Sequence, residues 1–329
     1  MTAHVQSIRR EIVAWDRHLR DKYPLLKRQD LLGALILLGV VVWITLTALA
    51  YIGGHLPAFM AVILMALAMS IAHELEHDLI HDLYFSKRPA VYNGAMYLIW
   101  FLKLHANPFW PKKLHLRHHS YSGQKEDWEE RLLGMGQPLG WRRLAVTLLP
   151  FGQVLYFDSI RRRDPKFDPQ EAKRANLPLG VPFYVLAAAA ILNLLLPSQL
   201  HDLLPSAFWQ VISTVTVLWV LPSMLRYSCL TLITTASHYA DDIPANSVFF
   251  ENQILDHWLL WPLQCFCFNF GATHIVHHYM VPQPFYLRQM VATRVRKTLI
   301  SAGCRHNDLA VIRRANRWNL EESWVGQVP

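Results

Sequence analysis

Charge is missing from four stretches of this 329-residue chain: residues 31–54, 56–72, 181–197 and 203–225 contain no Asp, Glu, Lys or Arg. A helix of about 20 residues crosses the hydrocarbon core of a bilayer. In a chain that is 53% hydrophobic, these runs are therefore expected to be four transmembrane helices in two hairpins. Cysteine is scarce. Cys229, Cys265, Cys267 and Cys304 form neither a C-x-x-C pair nor an extracellular framework, which excludes a thiolate zinc site and a disulfide scaffold. A dinucleotide fingerprint is also lacking, because GMGQPLG at 134–140 has the wrong spacing and no strand before it. Residues 1–30 have no apolar core ahead of a cleavage site, so no signal peptide is expected and the first run reads as a genuine span.

Basic residues are absent from the two expected hairpin tips, around Gly53-Gly54-His55 and from Ser198 to Asp202. All 32 lie elsewhere: 7 in residues 1–30, 16 in 73–180 and 9 in 226–329. Lys and Arg are retained on the cytoplasmic side. Both termini and the middle segment are thus expected in the cytoplasm, with the chain in a bacterial inner membrane. This bias accounts for the net charge of +8, and no basic run alternates with stacking aromatics, so nucleic acid is not an expected partner.

The middle segment, about 73–180, is punctuated by prolines. With residues 226–290 it is expected to form a helical cytoplasmic cap, followed by a polar tail from about 291 to 329. Within the cap, 91–104 and 144–157 are apolar but too short to span. They suit interfacial helices or buried cap helices alike.

Histidine is plentiful, with 17 residues, and it is clustered. The stretch AHELEHDLIHDLY, residues 72–84, holds His73, His77 and His81 at four-residue intervals. HLRHH supplies His115, His118 and His119, and HIVHH supplies His274, His277 and His278. On a helix, positions i, i+3 and i+4 share a face, so each box offers two or three converging imidazoles. His238, in TTASHYADD, stands on the same expected membrane face. His73, His77, both triplets and His238 make nine candidate ligands. Two metal ions would use them fully, and imidazole-rich shells with open positions suit redox iron.

HELEH, HLRHH and HIVHH on a four-span scaffold resemble the integral-membrane fatty acid desaturase and alkane hydroxylase superfamily, from about residue 31 to 280. The resemblance implies a single all-α membrane domain over residues 1–329 with a di-iron centre and O2 as co-substrate. It implies as ligands His73, His77, His115, His118, His119, His238, His274, His277 and His278. His81 is a further candidate, since His77 and His81 have the spacing of His73 and His77. Glu74, Asp127, Glu130 and Asn269 are candidates to orient the imidazoles, with Glu76, Asp78 and Glu129 close by. Lys103, Lys112, Lys113 and Arg117 are candidates for holding an acidic head group or contacting anionic lipid.

The implied reaction is oxidation of a C–H bond in a fatty acid or acyl chain, with desaturation as the default and hydroxylation or oxidative decarboxylation as alternatives. HELEHDLIH with HLRHHSYSGQKEDWEER is also similar to bacterial decarboxylases that form 1-alkenes. Neither a nucleotide fingerprint nor a fused cytochrome b5 signature is present. Electrons are therefore expected from a separate ferredoxin or rubredoxin with its reductase, docking near Arg161, Arg162 and Arg163. Two rivals remain: a zinc peptidase using His73, Glu74 and His77, and a histidine-rich metal transporter. The transporter would need ionisable residues inside the spans, which the four charge-free runs do not supply.

Overall fold

A computed structural model describes residues 2–195 and 204–319. The expected hairpin tip from Ser198 to Asp202 lies outside the described residues. The elements in chain order are α1 (Thr2–Lys22), α2 (Gln29–Ile52), α3 (Ala58–Ile80), α4 (Pro89–Lys103), α5 (Phe109–Tyr121), α6 (Trp128–Leu132), α7 (Trp141–Leu148), α8 (Phe157–Arg163), α9 (Pro169–Leu195), α10 (Ser206–Ser237), α11 (Val248–Glu251), α12 (Trp261–Cys265), α13 (Phe270–Tyr279) and α14 (Phe285–Ser301). Among the described residues there is no β-strand; two isolated bridges pair His238 with Asn252 and Ile254 with His306.

Helices α2, α3, α9 and α10 are long and apolar enough to cross a membrane, and the protein is an integral membrane protein. All four extend beyond the charge-free runs, α2 only by Gln29 and Asp30. α3 continues from Ala72 through HELEHDLI. Its polar last turns are buried among neighbouring helices, so they need no aqueous exit at that depth. α9 starts at Pro169 and carries Pro178 and Pro182 within it. α10 passes Met224 and ends at Ser237, with a π-helical turn at Thr216–Val220 immediately before Pro222. Proline lacks the N–H that an α-helical turn uses, and a widened turn accommodates that loss.

Part of the segment expected as a polar tail, residues 291–301, lies in α14 and packs against α1. Ile8, Ile12 and Leu19 of α1 pack with Leu287, Val291, Val295 and Leu299 of α14 and with Ile275 and Val276 of α13. A buried hydrogen bond from the Gln283 amide to Asp16 Oδ1, 2.9 Å long, joins α1 to the segment that leads into α14. The two short apolar stretches fall in α4 and in α7 with the 3-10 turn Gly152–Tyr156. In α4, Tyr92, Ala95, Met96 and Ile99 are buried while Val91, Tyr97, Leu98 and Phe101 are exposed. In the other stretch Trp141, Leu144, Leu148, Leu149, Val154 and Leu155 are exposed. An exposed apolar face on a short helix suits the bilayer interface.

Candidate metal centre

Four short pieces of chain meet beneath the spans. α3 delivers His77 from its last full turn and His81 from its C-cap. α5 delivers His115, His118 and His119. α13 begins at Asn269, whose positive φ of 57° turns the chain into the helix, and it delivers His274, His277 and His278. His238 follows the end of α10 in extended backbone.

The imidazoles form two groups. In one, ligand atoms of His77, His81, His115 and His277 lie within 4.8 Å of one another; in the other, those of His118, His238, His274 and His278 do. His119 joins the first, its Nε2 being 3.1 Å from His115 Nε2 and 2.8 Å from His277 Nε2. In the second, Nε2 atoms stand 3.3 Å apart for His118 and His278, 3.1 Å for His238 and His274, and 3.0 Å for His274 and His278. The Nε2 atoms of His77 and His81 are buried without a hydrogen-bond partner.

The outward nitrogens explain why the inner ones converge as lone pairs. His115 Nδ1 is 2.7 Å from Glu129 and His118 Nδ1 is 2.9 Å from Asp127. His238 Nδ1 is 2.7 Å from the Thr234 carbonyl, and His278 Nδ1 stands 3.4 Å from Glu251. A neutral ring that donates through Nδ1–H presents a lone pair at Nε2. Lone pairs facing each other at about 3 Å repel unless a cation lies between them. With metal–nitrogen bonds of about 2.1 Å, adjacent ligands of an octahedron stand about 3.0 Å apart. The donor set therefore fits two metal ions.

Electrostatics around both groups follow from their carboxylates, Glu129 beside His115 in the first and Asp127 and Glu251 beside His118 and His278 in the second. Burial lowers His118, but the Asp127 carboxylate outweighs it and raises the imidazole to about 10. Burial raises Asp127, yet His118 holds it below the usual carboxylate range. Burial pushes Glu129 up to about 8 and Glu251 up to about 7. A cation held by the second group would compete with the proton on His118, so its binding would release that proton.

His73, expected to pair with His77, stands outside both groups, and His81 stands where a ligand was expected from His73. His73 Nδ1 lies 3.1 Å from Lys103 Nζ and 3.6 Å from Glu76 Oε2. Spacing is the same for either pair; the depth of α3 relative to α5 and α13 decides between them. Among the expected orienting residues, Asp127 holds His118. Glu130 Oε2 is 3.6 Å from His238 Nδ1, beyond a hydrogen bond, while its Oε1 accepts from the Thr234 hydroxyl at 2.8 Å. Glu74 faces Arg288 Nη2 at 3.4 Å, and Asn269 donates to Gln289 Oε1 at 3.2 Å rather than to an imidazole.

Two contributors had no motif to announce them. Glu251 arrives from the short α11, and Arg288 of α14 places both Nη atoms 3.2 Å from His77 Nδ1. A guanidinium only donates, so His77 can ligate through Nε2 only when Arg288 turns wholly to its other acceptors, Asp78 at 2.7 Å and Glu74.

A cavity of about 100 Å³ touches both groups, through His77 and His115 on one side and His118 and His274 on the other. Ile80, Ala106, Leu114, Leu133, Leu230 and Phe270 give it apolar walls. The four basic residues considered for a head group are all engaged: Lys103 with Glu76, Lys112 with Asp82 at 2.7 Å, Lys113 with Glu171 at 2.5 Å and Arg117 with Asp164 at 2.9 Å.

Among curated proteins, none matches the chain significantly. The family model described as fatty acid desaturase matches residues 53–310, a range that contains all three histidine boxes, His238 and three of the four apolar helices in full. With its paired imidazole groups on an all-helical membrane scaffold, the chain belongs to the fatty acid desaturase family.

Proposed function

We propose that the two imidazole groups hold two iron ions and that the protein desaturates a fatty acyl chain with O2, as a single membrane domain with its site and termini in the cytoplasm of a bacterial cell. The family supports an oxygen-dependent oxidoreductase acting on a fatty acyl substrate. The observation that carries the metal assignment is the set of Nε2 atoms at 2.8–3.3 Å, with their Nδ1 atoms held by Asp127, Glu129 and the Thr234 carbonyl. Bound iron would supply two-electron reduction of O2 and an oxidant for an unactivated C–H bond.

The chain's own residues position that chemistry. Asp127, Glu129 and Thr234 fix ring tautomers. Ile80, Leu114, Leu230 and Phe270 wall the cavity against water, and the buried Asp127 carboxylate favours positive charge on His118. Reducing equivalents come from a separate ferredoxin- or rubredoxin-type donor; among the arginines considered for docking, Arg163 pairs with Asp241 and Arg161 with the Phe167 carbonyl. The peptidase reading loses its support, because Glu74, its base, faces Arg288, and His73 is turned to Lys103.

Metal analysis of the purified protein tests the proposal. About two irons per chain are expected, and one zinc with peptide cleavage overturns it. Gas chromatography of lipids and headspace from expressing cells then separates an internal alkene from a hydroxylated chain or a volatile terminal alkene.

A further inference from the structure

Lys27 and Arg28 stand immediately before α2, and Lys87 and Arg88 immediately before α4. The fold brings these two basic pairs together. The Phe85 amide donates to Asp30 Oδ1 at 2.8 Å, and the Tyr84 ring lies so close to Gly33 that a Cβ there would stand 2.7 Å from it. Tyr84 is held in turn by its hydroxyl, which donates to Asp78 at 2.9 Å. The loop between α3 and α4 is thus pinned to the first turns of α2.

Lys27 pairs with Asp21 at 2.8 Å. Among the described residues, Arg28, Lys87 and Arg88 have no carboxylate partner, and all three are exposed. They differ in this from Lys103, Lys112, Lys113 and Arg117, each of which has one. With Asp30, turned to the Phe85 amide, they line a groove of about 1140 Å³ between α2 and α4. Beyond this charged end the walls are apolar: Leu31, Ala34 and Leu38 of α2, and Val91, Gly94 and Leu98 of α4. All six are exposed, and a Cβ on Gly94 would meet nothing within 4 Å.

α2 is long and apolar enough to cross the membrane, so the apolar length of the groove opens on hydrocarbon, where a bilayer component can fill it. The charged end lies at the start of that span, at headgroup depth. Arg offers paired N–H donors to phosphate oxygens and Lys a compact charge, and basic clusters beside a span attract anionic lipid. An acidic protein surface would meet the cations and leave the apolar walls uncovered. At about 30 Å³ per water-sized group, the groove holds roughly 40 such groups, enough for a headgroup and the upper lengths of its chains.

We propose that this groove binds one anionic glycerophospholipid, with its phosphate at Arg28, Lys87 and Arg88 and its chains along α2 and α4. The site shares no lining residue with the cavity at the imidazole groups, and it stands apart from the desaturation reading. A lipid held there bridges the start of α2 and the loop that follows His77 and His81, so its binding should also raise the melting temperature.

The test uses delipidated full-length protein in detergent. Native mass spectrometry counts lipid bound from phosphatidylglycerol and from phosphatidylcholine with the same chains, with glycerol 3-phosphate as a soluble competitor. Wild type should retain one phosphatidylglycerol per chain, at least about tenfold more tightly than phosphatidylcholine, and glycerol 3-phosphate should not displace it. Replacing Arg28→Gln, Lys87→Gln and Arg88→Gln together should remove the preference. Lys166→Gln with Lys173→Gln, exposed basic residues elsewhere, should keep it. Gly94→Leu, which fills the open slot, should weaken binding of both lipids. Equal affinity of wild type for the two lipids overturns the proposal, as does a triple variant with the wild-type preference or a control pair that loses it. Displacement by equimolar glycerol 3-phosphate also overturns it, because the anion alone would then suffice. The first comparison needs no variant, so it decides the matter even if a substitution prevents folding.

Discussion

His73 and His81 each stand one helical turn from His77, and replacing them one at a time separates two assignments that spacing cannot. His81→Ala should lower bound iron substantially, whereas His73→Ala should retain it, because its ring contacts Lys103. His118→Ala and His277→Ala should abolish iron loading without affecting membrane insertion; metal analysis of membrane-extracted protein checks all four. Asp127→Asn weakens the acceptor that orients His118, and loss of such a partner typically costs about 10–100-fold in metal affinity, measurable by chelator competition. The boxes were legible because residues three and four apart share a helix face. Glu251 and Arg288 were not: each reaches the site from a segment whose local pattern is ordinary, and only packing gives it a neighbour there.

The turn after α5 shows how little room the element has. Gly123 has φ of +74°, and a Cβ there would lie 2.5 Å from Ile243 Cδ1 and 2.6 Å from the Tyr239 carbonyl. Its amide donates to Asp127 Oδ2 at 3.0 Å. Gly123→Ala therefore combines left-handed strain of about 1–2 kcal/mol with a backbone clash. A lower melting temperature and reduced iron content should appear together. Away from the imidazole groups, Asp256 accepts from His306 at 2.7 Å and pairs with Arg296. Burial raises Asp256, but Arg296, His306 and Asn307 outweigh it and hold the carboxyl at about 2. A depressed folded-state value means that this tie contributes fully above the unfolded value of 3.8 and is lost as pH falls towards 2. Asp256→Asn should lower the melting temperature at neutral pH and flatten its fall over that acid window. The apolar centres of the spans could be read from charge-free runs. Their ends could not, since α3 and α10 keep polar residues buried against protein rather than lipid, and hydropathy cannot tell these apart.

For the whole molecule, the distribution of Lys and Arg predicts a sidedness that labelling can check. A cysteine placed by Gly54→Cys, at the tip between α2 and α3, should react in intact cells with a membrane-impermeant maleimide, and one placed by His4→Cys in α1 should not; the opposite pattern inverts the topology. The four spans followed from the charge-free runs and the all-helical architecture from the family resemblance, but the embrace of α1 by α14 followed from neither, because both helices read as polar flanks and their apolar faces become evident only against each other. That embrace orders events during synthesis. α1 leaves the ribosome well before its partners, Leu287 to Leu299, and before His274, His277, His278 and Arg288. The nascent chain must keep α1 waiting at the membrane surface while every span is threaded. Neither imidazole group is complete until then, so a metal ion could be inserted only after translation has passed these residues, with the spans already threaded into the bilayer.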